Sequence, residues 1–103
     1  MHKFKALYKA MYDDLKDAEM MIDYACEIKE EEPHDKVLAD ELVKYAKYRL
    51  EHFMSFHKIF VEEAHKLKDA TAAKTVDHCL WKETHEHMQE WHMKIEKKVN
   101  GYK

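Results

Sequence analysis

The sequence predicts an all-α protein, built as an antiparallel up-down-up bundle of three long helices. The first observation behind this prediction is composition. The 103 residues include one glycine and one proline, whereas hairpins and phosphate-binding loops depend on glycine at positive φ. The second is that apolar residues recur at steps of three and four, which is the spacing of one helix face. We therefore expect one helical domain over residues 1–103, with helices at about 3–31, 34–68 and 71–100.

The first helix is predicted from an apolar series that stops before an acidic segment and a proline. Its members are Phe4, Leu7, Met11, Leu15, Ala18, Ile22 and Ala25. Pro33 disfavours helix in the preceding residue and suits the first turn of the next helix, so it separates helices one and two. A second apolar strip on helix one, typical of a subunit interface, predicts a homodimer or higher oligomer. This strip contains Met20, Met21, Tyr24 and Ile28.

Helices two and three are predicted from two further apolar series. The series of helix two is Leu38, Leu42, Tyr45, Arg49, His52, Phe56, Ile59 or Phe60, Glu63 and Leu67. The series of helix three is Leu80, Trp81, Met88, Trp91, Ile95, Val99 and Tyr102. The break between them is weak, with Asp69, Thr71 and Thr75 as N-cap residues, and Gly101 marks the end of helix three.

Charge and hydropathy exclude several classes of function. The 18 Lys and Arg against 21 Asp and Glu give a net charge of −3, without the basic clusters of nucleic-acid or anionic-membrane binding. No apolar segment approaches the roughly 20 residues of a membrane span, and the first residues contain no apolar signal segment. We expect a cytoplasmic protein that binds neither nucleic acid nor membranes. Ser55 is the only serine, and no strained turn presents it as a nucleophile.

The nine histidines are the unusual feature of the composition. Helical spacing and counting from the turns predict that Glu19, Arg49, His52 and His92 converge at mid-bundle, with His85 nearby. One interpretation is a buried polar network without a cofactor, in which Arg49 pairs with Glu19 in the core. The alternative is iron or zinc bound by a candidate ligand set of Glu19, His52, His85 and His92. We favour the network, because the fixed charge of Arg49 repels a cation.

Other histidines receive less specific interpretations. His57 falls away from the predicted apolar stripe of helix two. Glu62 and His65 form an E-x-x-H pair, but on the outward face, so we expect a solvated pair. A haem site would need His and Met on facing helices, and His52 opposite Met88 is the only such pair we identify.

Two segments carry a family resemblance. LKDAEMMIDYACEIKEE followed by LADELVKYAKYRLEHFMSFHKIF resembles the first helix pair of the ferritin-like superfamily, rubrerythrin-type members especially. The resemblance implies that Glu19 matches the ligand Glu of helix one and His52 the ligand His of helix two. Arg49 stands where that family carries its bridging Glu. Some short members are encoded among phage or prophage structural genes, an origin that the resemblance allows.

The sequence departs from the family pattern, and these departures determine the function that we expect. A di-iron site also needs a second Glu and a second E-x-x-H, and helix three contains no E-x-x-H. We interpret Arg49 as a substitute for the metal. The chain is therefore expected to be a non-catalytic ferritin-like bundle that has lost its di-iron site and acts as a structural or interaction protein. The alternative is a metal-binding ferritin-like protein that uses the candidate Glu and His ligands.

Overall fold

The computed structural model describes the backbone of residues 2–70 and 75–102 and the side chains of residues 3–66 and 83–102. Within these residues the chain forms three helices, α1 (His2–Glu31), α2 (Lys36–Ala70) and α3 (Thr75–Gly101), and no strand. The prediction of an all-α chain is confirmed. A 3-10 turn at Pro33–Asp35 precedes α2, so the second α-helix begins at Lys36 instead of residue 34. The predicted start of helix three at residue 71 lies outside the described residues.

The turn between α1 and α2 is closed by backbone hydrogen bonds. The N–H of Glu32 donates to the carbonyl of Ile28 at 2.8 Å, and the N–H of Asp35 donates to the carbonyl of Glu32 at 2.9 Å. Pro33 occupies the first turn of the 3-10 segment, where a missing N–H costs nothing. The position predicted for this break is therefore confirmed.

The core face of α1 is the one that its spacing predicts. All seven predicted residues are buried, and Leu15, Ala18, Ile22 and Ala25 are inaccessible to solvent. Asp14 is also buried in this face, at 3% exposure. Because it lies three residues after Met11 and four before Ala18, helical spacing places it with them.

The core face of α2 differs from the predicted one by one residue. The buried residues are Ala39, Val43, Ala46, Leu50, Phe53 and Phe60. Of the predicted series, Phe60 is thus confirmed, and Leu42 and Phe56 pack against the core while partly exposed. Leu38, Tyr45 and Ile59 are exposed and so is His52. Helix α2 has two apolar stripes, and the stripe that contains alanines is the one buried. The distance between packed helices depends on the side chains at their contact. Ala39 and Ala46, like Ala18 and Ala25 of α1, are fully buried and so permit a close approach.

Helix α3 completes the core with part of its predicted face. Met88, Ile95 and Val99 are buried, and Trp91 and Tyr102 pack against them while partly exposed. The side chains of Leu80 and Trp81 lie outside the described residues.

Contacts between side chains fix the directions of the helices. Lys3 Nζ lies 2.7 Å from Glu63 Oε2, so the start of α1 meets the end of α2. Tyr102 donates a 3.2 Å hydrogen bond to Asp40 Oδ1, so the end of α3 meets the start of α2. Both α1 and α3 therefore run opposite to α2. The molecule measures 58 × 17 × 17 Å, and no helix in its described part is long and apolar enough to cross a membrane.

Candidate functional site

A partly buried ion-pair cluster joins α1 and α2 at mid-length. Arg49 Nη2 of α2 lies 3.0 Å from Asp14 Oδ1 and 2.9 Å from Asp17 Oδ2 of α1. Asp14 and Asp17 are three residues apart and so share one flank of α1. Within the part of the chain that the structure describes, Asp14 Oδ2 and Arg49 Nε are buried without a hydrogen-bond partner. The cluster therefore places one cation between two carboxylates and is incompletely hydrogen-bonded.

Burial and the Arg49 guanidinium act in opposite directions on the charge of Asp14, and burial has the larger effect. Burial raises the pKa of the Asp14 carboxyl above its ordinary value, and Arg49, with a smaller effect from His52, acts to lower the same pKa. A carboxylate in this position would cost several kcal/mol without a cation beside it. Arg49 thus supplies the charge that makes Asp14 tolerable in the core.

The predicted pair of Glu19 with Arg49 is corrected by this geometry. Glu19 instead lies 3.6 Å from Lys98 of α3, whose ammonium also lies 3.1 Å from Asp23. Glu19 follows Asp14 by five residues, which is a rotation of about 140° around a helix. When Asp14 faces α2, Glu19 consequently faces α3.

A ladder of stacked rings, the histidine ladder, occupies the interface of α2 and α3. His92 stacks on Phe53 with ring centroids 4.9 Å apart, His85 stacks on His57 at 4.5 Å, and His85 also stacks on Phe60 at 5.1 Å. Phe53 and Phe60 are core residues, while the three histidines are intermediate in exposure. The prediction that His57 lies away from the apolar face is therefore wrong. The true core face of α2 contains Phe53 and Phe60, and His57 lies between them at helical spacing.

Burial favours the neutral form of the imidazoles in the ladder. It lowers the pKa of His57, His85 and His92 below the ordinary histidine value. Charge on His92 would lower the pKa of His57 further, and charge on His57 would lower that of His85. Glu86 and Glu96 act weakly in the opposite direction on His85 and His92.

Few polar groups contact the imidazole nitrogens. The Gln89 side-chain amide lies 3.4 Å from His57 Nε2 and can donate to a neutral ring. His92 Nε2 lies 3.8 Å from Glu96 Oε2, too far for a hydrogen bond. His85 Nε2 is buried and has no hydrogen-bond partner among the described side chains. The ladder thus stabilises neutral rings by stacking and provides few hydrogen-bond acceptors for a protonated ring.

The four predicted metal ligands do not converge within the chain. Glu19 lies beside Lys98, and His52 is exposed between Tyr48 and Phe56, with ring centroids 5.2 and 5.8 Å away. His85 and His92 belong to the ladder on the other side of α2. Among the described side chains, no group of three or more His, Cys, Asp or Glu is arranged to hold a metal ion. These residues do not fit a di-iron centre.

Two further sequence predictions concern a haem site and the Glu62–His65 pair. Met88 is buried in the core and His52 is exposed, so the His52–Met88 pair does not face one cofactor. Glu62 and His65 are both exposed, as expected for a solvated pair. The sequence analysis did not identify Asp14 and His57 as site residues. Asp14 could have been identified from its helical spacing to the core residues Met11 and Ala18.

Comparison with protein-family models, curated proteins and solved structures finds no match for this chain.

Proposed function

We propose that this chain is a non-catalytic ferritin-like helical bundle that has lost its di-iron site and acts as a structural or interaction protein. The observation that carries the proposal is the cluster of Arg49 with Asp14 and Asp17. The family resemblance places a bridging Glu at position 49. In this chain the same position holds a cation, Arg49, which is already paired with two carboxylates.

The chemistry of the cluster supports loss of the metal. A guanidinium stays protonated at any physiological pH and cannot act as a ligand. Asp14 and Asp17 are engaged by it, and Glu19 is directed towards Lys98. Restoring a cation site here would require displacing Arg49 and rotating Glu19 away from α3.

The direction of the helices is compatible with the ferritin-like part of the proposal. The Lys3–Glu63 and Tyr102–Asp40 contacts are those of an antiparallel up-down-up arrangement. In a ferritin-like protein this arrangement would account for three of the four helices around a polar centre. The polar centre here would be structural.

The test is the metal content of untagged protein expressed in medium supplemented with iron and zinc, measured by plasma mass spectrometry. We expect metal far below one ion per chain, with no change in the variants Glu19→Gln and His52→Ala. The exposed variant His65→Gln serves as the control for adventitious binding to surface imidazoles. Iron or zinc near one ion per chain, lost in Glu19→Gln or His52→Ala but not in His65→Gln, would overturn the proposal and favour the metal-binding alternative.

A further inference from the structure

A second apolar stripe on α2 remains exposed although the core is closed. Leu38, Tyr45, His52 and Ile59 recur every seven residues, which keeps them on one face of the helix. All four are exposed, and Ile59 is 44% accessible. Tyr48 and Phe56 extend the stripe through ring contacts with His52. An exposed stripe of aliphatic and aromatic side chains along a helix is typical of a surface that binds another protein.

Helix α1 extends the same surface. Arg49 lies beside the stripe and reaches Asp17 on the neighbouring flank of α1. Met21 and Tyr24 follow Asp17 by four and seven residues and therefore lie on that flank. Tyr24 is exposed and Met21 is intermediate. The stripe, Met21 and Tyr24 together form what we call the α1–α2 face.

Charge is distributed unequally between the two ends of this face. The end at the turn between α1 and α2 is acidic. At the opposite end Lys3 and Lys66 are paired with Glu63, so this end carries no comparable excess of negative charge. The acidic residues at the turn are Glu27, Glu30, Glu31 and Glu32.

We propose that the α1–α2 face binds a second copy of this chain in an antiparallel, two-fold symmetric dimer. The inference rests on the proposed interaction function. An antiparallel arrangement keeps the acidic ends of the two copies apart, whereas a parallel arrangement places them against each other. The stripe also shows the same order of residue types from either end of the helix. The aliphatic residues Leu38 and Ile59 stand at its two ends, and the rings of Tyr45 and His52 lie between them. Such a pattern is self-complementary, as a two-fold interface requires.

The size of the face is sufficient for a stable dimer. The molecule is 58 Å long and 17 Å wide, and a stable interface buries about 800 Å² per partner. A side-by-side pairing along most of α2 reaches an area of this order. The central rings supply the aromatic contacts that dominate such interfaces.

The mass of the protein in solution, measured by sedimentation equilibrium, tests the inference with a matched pair of variants. Ile59→Lys places a charge in the stripe. Met54→Lys places the same charge on the same helix at a similarly exposed site, 48% against 44%, about 140° away around the helix. We expect wild-type and Met54→Lys proteins to be dimers and Ile59→Lys to be a monomer of unchanged helix content. A monomeric wild-type protein, or dimers of equal affinity in both variants, would overturn the inference.

Tyr45→Lys replaces Ile59→Lys if the latter fails to fold. Orientation is tested by disulfide formation in a background in which Cys26 and Cys79 are replaced by serine. We expect Leu38→Cys chains to cross-link with Ile59→Cys chains and not with themselves. Cross-linking of Leu38→Cys to itself would contradict the antiparallel arrangement.

The metal measurement that tests the proposed function is independent of the measurement of oligomeric state. A metal-free monomer would therefore refute the dimer alone, and a metal-loaded dimer would refute the loss of the metal site alone.

Discussion

The imidazole rings of His57 and His85 lie face to face across the interface of α2 and α3, with centroids 4.5 Å apart and planes 19° from parallel. Stacking at this distance is favourable for neutral rings and unfavourable for two cations. His92 and Phe53 continue the stack. We therefore expect protonation of these histidines to weaken the packing of α3 against α2.

We expect the stability of the protein to fall as the pH falls through the histidine range. Burial lowers the pKa of all three ladder imidazoles in the folded state, so near the ordinary value of 6.5 the unfolded chain binds more protons. The contribution of the neutral rings is present above that value and is lost as the pH falls from it towards the lowered values. Thermal unfolding followed by circular dichroism between about pH 7.5 and about pH 5.5 measures this loss.

The variant His57→Phe/His85→Phe keeps the stacked rings and removes two titrating groups. It should show a clearly weaker dependence of the melting temperature on pH than the wild-type protein. His65→Gln removes an exposed histidine of the same helix and should keep the wild-type dependence. Equal slopes for all three proteins would show that the ladder does not govern acid stability.

We expect Arg49→Leu to lower the free energy of unfolding by about 2–3 kcal/mol, because it leaves Asp14 buried without a counter-charge. The effect should be below that of a fully enclosed pair, since Arg49 retains 22% of its side-chain exposure. The double variant Asp14→Leu/Arg49→Leu should recover much of the loss, because apolar groups can replace a buried pair. Urea denaturation of the four proteins of this double-mutant cycle gives the coupling energy.

A second cycle with Glu19→Gln serves as the control for the Arg49 experiment. Glu19 contacts Lys98 and not Arg49, so its coupling to Arg49 should lie within about 0.5 kcal/mol of zero. A coupling of Arg49 to Glu19 that exceeds its coupling to Asp14 would contradict the observed pairing.

Neighbouring substitutions in α2 test which of its two apolar stripes faces the core. Ala46 is fully buried, so Ala46→Leu should overpack the contact and cost about 1–3 kcal/mol. Tyr45, the adjacent residue, is 41% exposed, so Tyr45→Ala should cost less than about 1 kcal/mol in the stability of the monomer. Urea denaturation at a concentration where the protein is monomeric provides the comparison, and the reverse order of costs would favour the other stripe.

The helices themselves could be predicted from the sequence, but their rotation about the axis only in part. Helix α1 carries one dominant apolar stripe, so its buried face followed from spacing alone. Helix α2 carries two stripes that differ by one residue, and the larger side chains of Leu38, Tyr45 and Ile59 favoured the wrong one. The choice depends on how closely α1 can approach, which is a property of two helices together.

The candidate site could also be predicted from the sequence only in part. His85 and His92 were expected near the interior, and they do lie at the interface of α2 and α3. Their partners could not be identified, because a rotation of α2 by one residue exchanges His52 for His57. The same rotation directs Arg49 to Asp14 and Asp17 instead of Glu19.

The turn at Pro33 has a consequence for the order in which the chain folds. It fixes a reversal of direction within a few residues, so α1 and α2 can pair progressively outward from it. Contacts between residues as distant in sequence as Lys3 and Glu63, 60 positions apart, then form only after nearer contacts have shortened the loop to be closed. Each step costs little chain entropy, and we expect this helical pair to assemble at the rates of proteins dominated by local contacts.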